Sequence, residues 1–300
     1  MNDKFSWLDK AEYPFAARYF EINGQQLHFI DEGAGEVILF VHGTPSWSFD
    51  FRNQIKVLSK HYRCIAIDHI GFGLSDKPAT YDYSTQNHSL TLEKFIKHLD
   101  LDSITLVVHD FGGPIALYVA MKYPEKFQRI VVMNSWIGSS AKDPEFIRFS
   151  KILKSPLLPF LYRYLNFSPR FLLPSSFGDN KLPKHLLKQY TAAFANKNER
   201  YGTLAFAKSL LNDQDWFEKL WSKRDLLADK AMLLVWGMKD KFATEKYLSR
   251  FIEGFLQAEV VRLESCGHFP QEEEAQMVTD SIRGFLLNNL VKADSKHFVS

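Results

Sequence analysis

In this 300-residue chain, the residue best placed for chemistry is an aspartate at the point where an apolar run gives way to a helical pattern. In VVHDFGGPIAL the run over 103–110 ends at Asp110, and Gly112-Gly113 follow before a helix expected over 114–123. Glycine close behind a nucleophile allows the sharp strand–turn–helix bend that lifts the reactive side chain clear, because a larger residue would collide with strand or helix. Val108 stands two residues earlier, where such turns usually carry glycine, and Asp110 could instead cap the helix. Two further residues weigh against simple capping. Asp240 in LLVWGMKDKF lies just past a buried strand, at the end where open α/β sheets gather their reactive groups. His268 in SCGHFPQEE follows the last strand and precedes the final helix. The chain order Asp110, Asp240, His268 is that of a nucleophile, an orienting acid and a histidine base.

An aspartate nucleophile restricts the reaction. Attack on an ester or amide carbonyl would give a mixed anhydride, a poor intermediate for hydrolysis, whereas attack on an sp³ carbon gives an ordinary ester. The expected sequence is alkylation of Asp110, then attack by water on the Asp110 carbonyl carbon. His268 would accept the water proton, while Asp240 orients the imidazole and stabilises its charged form. HGTPSW (42–47) directly follows the strand expected over 36–42. The amides of Thr44 and Phe111 are therefore candidates for the oxyanion hole, where one donor contributes about 3 kcal/mol. His42 and Gly43 are read as shaping that loop. This chemistry calls for a small apolar organic substrate and water, with no metal or organic cofactor.

The elements that must position these groups alternate along the chain. Residues 18–22 and 26–31 flank Asn23-Gly24, a hairpin signal. Apolar strand patterns follow at 36–42, 62–68, 103–110, 129–134, 231–237 and 258–264. Helical patterns at 49–60, 85–99, 114–123 and 271–287 separate most of them, which predicts an α/β fold with a mostly parallel central sheet flanked by helices. Almost a hundred residues between 134 and 231 lack a convincing strand. The part over 135–211 is rich in Phe, Leu, Tyr and Pro, with Pro144, Pro156, Pro159, Pro169, Pro174 and Pro183 dividing it into short helices. It is expected to be a helical cap inserted into a core made of 1–134 and 212–300.

The bulk properties exclude other classes. Formal net charge is +2, and Lys and Arg are scattered among Asp and Glu, so neither a nucleic-acid track nor a membrane surface is expected as partner. Cys64 and Cys266 lack metal-ligand spacing and read as structural thiols. No secretory signal and no 18-residue apolar span are apparent, which points to the cytoplasm. Glu272-Glu273-Glu274 reads as the solvated first turn of a helix, and the turn IDHIGFGLSDKP as structural. The sequence carries no sign of oligomeric state.

Together, HGTPSWSF, DHIGFGLSDKP, VVHDFGGPIAL, MNSW, LLVWGMKD and CGHFPQEE resemble the α/β-hydrolases with an aspartate nucleophile. The likeness runs from about residue 20 to the final helix and is greatest to the haloalkane dehalogenases, with epoxide hydrolases next. It implies an α/β-hydrolase fold with an inserted helical cap, and a dehalogenase that releases alcohol and halide. One departure stands out: dehalogenases usually carry Trp after the nucleophile to bind the departing halide, and here Phe111 offers no donor. Thr44 and Trp136 are the alternative halide partners. In epoxide hydrolases, Phe at that place accompanies two cap tyrosines, for which Tyr162, Tyr164, Tyr190 and Tyr201 are available. A third relative, the β-lactone decarboxylases of olefin biosynthesis, shares much of DHIGFGLSDKP. A non-catalytic small-molecule receptor on the same scaffold is the reading outside enzymology.

Overall fold

The computed structural model describes residues 5–297, with side chains as far as Asn289. Asn23 and Gly24 both take positive φ, 51° and 75°, so the hairpin they close matches the natural twist of its strands. Those strands, β1 (Arg18–Ile22) and β2 (Gln25–Glu32), form the antiparallel edge of an eight-stranded sheet. The six apolar runs become β3 (Val37–Val41), β4 (Arg63–Ile67), β5 (Ile104–Asp110), β6 (Phe127–Ser135), β7 (Ala231–Gly237) and β8 (Glu259–Leu263). Each lies within two residues of its expected bounds. All six run parallel, in the sheet order β1-β2-β4-β3-β5-β6-β7-β8. Burial follows pattern: every residue of the central β5 is buried, whereas edge strand β8 is half open.

This order sets the site. From β3 the chain moves outward to β4, then returns to β5 on the other side of β3. The connections after β3 and β5 thus part in opposite directions at their C-terminal ends, leaving the crevice where α/β sheets bind ligands. The loop 42–47 and Asp110 both open onto it.

The helices in chain order begin with α1 (Arg52–Leu58), α2 (Thr85–His98) and α3 (Gly112–Lys122). Between β6 and β7 come α4 (Pro144–Leu153), α5 (Leu158–Leu165), a π-helical turn (Ser168–Leu172), α6 (Leu173–Ser175), α7 (Lys184–Ala192), α8 (Tyr201–Asn212) and α9 (Gln214–Ser222). No strand occurs there among the described residues. Pro144, Pro159 and Pro174 occupy first turns, where a missing N–H costs nothing, and Pro183 immediately precedes α7. Leu153, Leu158, Tyr162, Leu204 and Ala207 form a small apolar cluster distinct from the main core. The two ends of this segment are clasped: the amide of Gly138 donates to the Phe217 carbonyl at 3.0 Å, and Ser139 Oγ and the Ser140 amide both donate to Gln214 Oε1 at 2.8 Å.

After β7 come α10 (Glu245–Gly254), α11 (Pro270–Glu273) and α12 (Ala275–His297). The helix expected over 271–287 is therefore two, broken at Glu274. The acidic run at the break is also not the solvated turn it promised. Glu272 is 4% exposed and takes a bidentate pair from Arg52 at 2.6 Å. Glu273 accepts the amides of Gly178 and Gly267, each at 2.8 Å. A run of like charge can look solvated when some of its partners are distant in sequence; here Arg52 arrives from α1 and Gly178 from the β6–β7 segment.

Candidate active site

Asp110 ends β5 with φ +52°, a left-handed backbone that side-chain-bearing residues adopt at a cost. Its neighbours make that bend the one that fits. A Cβ on Gly112 would overlap the Val41 carbonyl, and one on Gly113 would overlap Ser135 Oγ. Ser135 Oγ donates to the Asp110 carbonyl at 2.6 Å, fastening the turn to the end of β6. Gly43 is needed too, because a Cβ there would strike the Asp110 carboxylate. Val108 lies fully buried within β5.

The carboxylate is held at both oxygens. The Thr44 amide donates to Oδ1 at 2.7 Å, and His268 Nε2 lies 3.2 Å from Oδ2. On the far side of the ring, His268 Nδ1 is 2.6 Å from Asp240 Oδ2, while Asp240 Oδ1 accepts the Phe242 amide at 2.7 Å. The three residues named from their places after strands thus meet in space. Burial opposes charge on both Asp110 and His268, yet pairing prevails. The Asp110 carboxyl falls below its ordinary value, chiefly through His268, with His109 and the Thr44 amide adding. The His268 imidazole is pushed up to about 10, because the Asp240 charge and the bonds to both carboxylates outweigh burial.

Above Asp110 lies a cavity of about 240 Å³ with a mainly apolar wall. Thr44, Phe111 and Trp136 line it from the strand ends, and Phe149, Leu153 and Tyr162 from the β6–β7 segment. Phe111 stacks on Phe206 at 4.4 Å and meets Trp136 edge-on at 4.8 Å. Thr44 Oγ1 is buried without a hydrogen-bond partner among the described residues. Of the four tyrosines considered, only Tyr162 lines the cavity. Burial raises its phenol to about 12, the Ser168 hydroxyl opposing and the Asp110 charge adding. Tyr164 is exposed, Tyr201 accepts from Arg163 at 2.9 Å, and Tyr190 donates into a separate buried network.

Residues 36–275 match the family described as alpha/beta hydrolase fold. The chain belongs to that family. Over 278 residues the hydrolase is 31% identical to haloalkane dehalogenase 2 of Mycobacterium tuberculosis, covering 91% of this chain and 96% of that one. Over 285 residues it is 34% identical to cis-3-alkyl-4-alkyloxetan-2-one decarboxylase of Shewanella oneidensis, covering 91% and 89%. The solved haloalkane dehalogenase DatA from Agrobacterium tumefaciens superposes with a TM-score of 0.84 at 24% identity, covering 94% of this chain and 99% of that one, a likeness of fold. The protein is accordingly an enzyme, a haloalkane dehalogenase-like hydrolase.

Sequence reasoning missed several residues that hold the hydrolase's site. Asn134, with φ +31°, donates to Asp240 Oδ2 at 2.8 Å and to the Gly237 carbonyl at 3.1 Å, and accepts the Gly237 amide at 2.8 Å. Its signal was a polar residue ending a buried strand in MNSW. A larger omission is the network behind the imidazole. His109 Nε2 donates to the His268 carbonyl at 2.7 Å, and its Nδ1 sits 3.3 Å from Asp50, off the line of a hydrogen bond. Asp50 also accepts from Ser46 at 3.1 Å, Gln271 at 2.8 Å and Tyr190 at 3.2 Å. Tyr190 bonds Glu272 at 2.6 Å, which completes the chain to Arg52.

The His42 and Asp68 turns serve as scaffolding. His42 Nε2 accepts the His69 amide at 3.0 Å, so its Nδ1–H donates to the Gly43 carbonyl at 2.6 Å. Buried Asp68 takes the amides of Ser48 and Leu74, each at 2.7 Å, and His28 Nδ1 at 2.9 Å.

Proposed function

We propose that this hydrolase acts at an sp³ carbon through an ester on Asp110, converting small haloalkanes to alcohol and halide. The observation that carries the reading is the Asp110 carboxylate: fixed by the Thr44 amide and His268, it faces an apolar cavity. In such a cavity a carboxylate is poorly solvated and correspondingly nucleophilic, and the N-terminus of α3 steadies its charge. Attack forms the C–O bond as the carbon–halogen bond breaks and halide leaves with its electron pair. Alkylation removes one of the two anions that hold the His268 proton, which favours the neutral imidazole needed next. His268 then takes a proton from water as the hydroxide attacks the ester carbonyl carbon. The Thr44 and Phe111 amides receive the tetrahedral oxyanion; collapse expels the alkoxide, which takes the proton from His268 to leave as the alcohol, and the carboxyl left on Asp110 ionises. Residues 135–211 serve as the cap that keeps bulk water out of the cavity. In this reading the Thr44 hydroxyl and the Trp136 indole N–H replace the donor that Phe111 lacks.

Opening of a strained oxygen ring is favoured by one specific feature: the phenol of Tyr162 lies in the cavity, where it could protonate a departing oxygen. An epoxide and a β-lactone both fit that chemistry, and the oxetanone decarboxylase relative acts on the latter ring. Intact-protein mass spectrometry of His268→Phe with bromoalkanes, epoxides and β-lactones separates the readings. A gain equal to the alkyl group, mapped to Asp110 with bromide released, is the expected result. A gain equal to the whole heterocycle would assign ring opening instead. An adduct mapped to another residue would overturn Asp110 as nucleophile.

A further inference from the structure

The inner faces of α4, α5 and the π-helical turn line the cavity; their outer faces are also apolar. Leu157, Phe160 and Tyr164 recur at spacings of three and four, so they share the solvent side of α5, opposite buried Leu158 and Tyr162. Ile147 and Ile152 on α4 and Phe171 on the π-helical turn are exposed as well. Phe160 stacks on Tyr164 at 5.2 Å. Large apolar side chains concentrated in one stretch of 25 residues mark a surface that meets something other than water. Interleaved with them are exposed Arg148, Lys151, Lys154 and Arg170, none of which forms an ion pair among the described residues.

Charge identifies the occupant. Residues 135–211 hold twelve Lys and Arg against four Asp and Glu, a formal +8, so the remainder of the chain is −6 within the overall +2. The near-neutral total conceals this polarity. We infer that the outer face of α4, α5 and the π-helical turn docks peripherally on an anionic phospholipid bilayer. Apolar side chains reach the acyl boundary while the surrounding cations meet lipid phosphates, the pattern of a helix lying in the interface. A second copy of the chain is the poorer fit, because a two-fold interface would set this positive face against itself. No described helix is long and apolar enough to cross a membrane. Docked this way, the cavity would lie one helix thickness beneath the lipid, where apolar substrates concentrate.

Vesicle co-sedimentation tests the inference without using any substrate, so it stands or falls apart from the proposed reaction. The wild-type hydrolase is expected to sediment with phosphatidylcholine vesicles containing phosphatidylglycerol, far less with phosphatidylcholine alone, and less at high salt. Leu157→Asp/Phe160→Asp alters two side chains that are 64% and 52% exposed, and should lower the partition coefficient about tenfold or more while the melting temperature holds. Lys151→Glu/Lys154→Glu should remove the preference for anionic vesicles. Failure of the folded wild type to bind those vesicles overturns the inference, as does undiminished binding by the Leu157/Phe160 variant. Self-association of vesicle-free protein that this variant abolishes would assign the face to a second copy instead.

Discussion

Two buried sets of charged side chains converge on His268, one at its ring and the other at its backbone carbonyl, and they differ in what they leave open. Around the ring, Asp110 retains a face toward an apolar cavity, and the imidazole is pushed up to about 10. Behind the carbonyl, Asp50 is closed on all sides by Ser46, His109, Tyr190 and Gln271. Burial pushes the Asp50 carboxyl upward, and the nearby His109 ring, with Gln271 and Ser46 adding, brings it below the ordinary value instead. The first set leaves bonding capacity facing the cavity; the second uses its capacity to fix where the loop of His268 lies. A buried charged group is therefore informative about reaction only when its unspent valence faces space that a substrate can fill.

Changes on the two sides should separate accordingly. The largest effect is expected for Asp240→Asn, which removes the anion that stabilises the imidazolium and should lower turnover by about 10⁴-fold. The sign of its pH effect is fixed: the Asp240 charge raises the His268 pKa, and the proposed ester hydrolysis needs the neutral ring. Turnover in the wild type should therefore rise as pH climbs, and the variant's rising limb should move to lower pH. A pH–rate profile with an unmoved limb would break the assignment of Asp240.

On the closed side, Asp50→Asn should act mainly on stability. Breaking a buried, paired charge costs about 3 kcal/mol, or roughly 6–12 °C in melting temperature for a domain of this class. A thermal melt alongside steady-state kinetics checks it; a large loss of turnover with an unchanged melt would place Asp50 with the reacting groups. The smallest effect belongs to Asp68, away from both sets. Burial would raise its carboxyl, but His28, with His42 and the Leu74 amide adding, holds it at about 2. A depressed carboxyl stabilises the fold above its unfolded value and loses that contribution as pH falls from about 4 toward 2. For a fully buried group the contribution is about 2 kcal/mol. Chemical denaturation across that window should show the decline, which Asp68→Asn should blunt.

How much of this was legible in the sequence depended on distance along the chain. Buried parallel strands announce themselves as continuous apolar runs, so six strands and the places of Asp110, Asp240 and His268 after them could be read locally, and the Asn23-Gly24 turn marked the other two. Asn134 carried a weaker local sign, one amide at a strand end. The Asp50–His109–Tyr190–Glu272 network carried none, because its members come from four separated stretches and each alone looks like an ordinary polar residue. The same limit misassigned Glu272, whose partner Arg52 lies 220 residues away. Tyrosine content, too, says nothing about direction: Tyr162 turns inward and Tyr164, two residues on, turns out.

The clasp between residues 138–140 and 214–217 makes the intervening segment a loop tied at its neck. The sheet registers only where that neck is, not how much chain lies beyond it. Because closure entropy grows with the logarithm of length, doubling such a loop costs only about 0.6 kcal/mol. The roof of the cavity is thus an exchangeable part, free to be lengthened, shortened or resurfaced while the groups at the strand ends keep their positions.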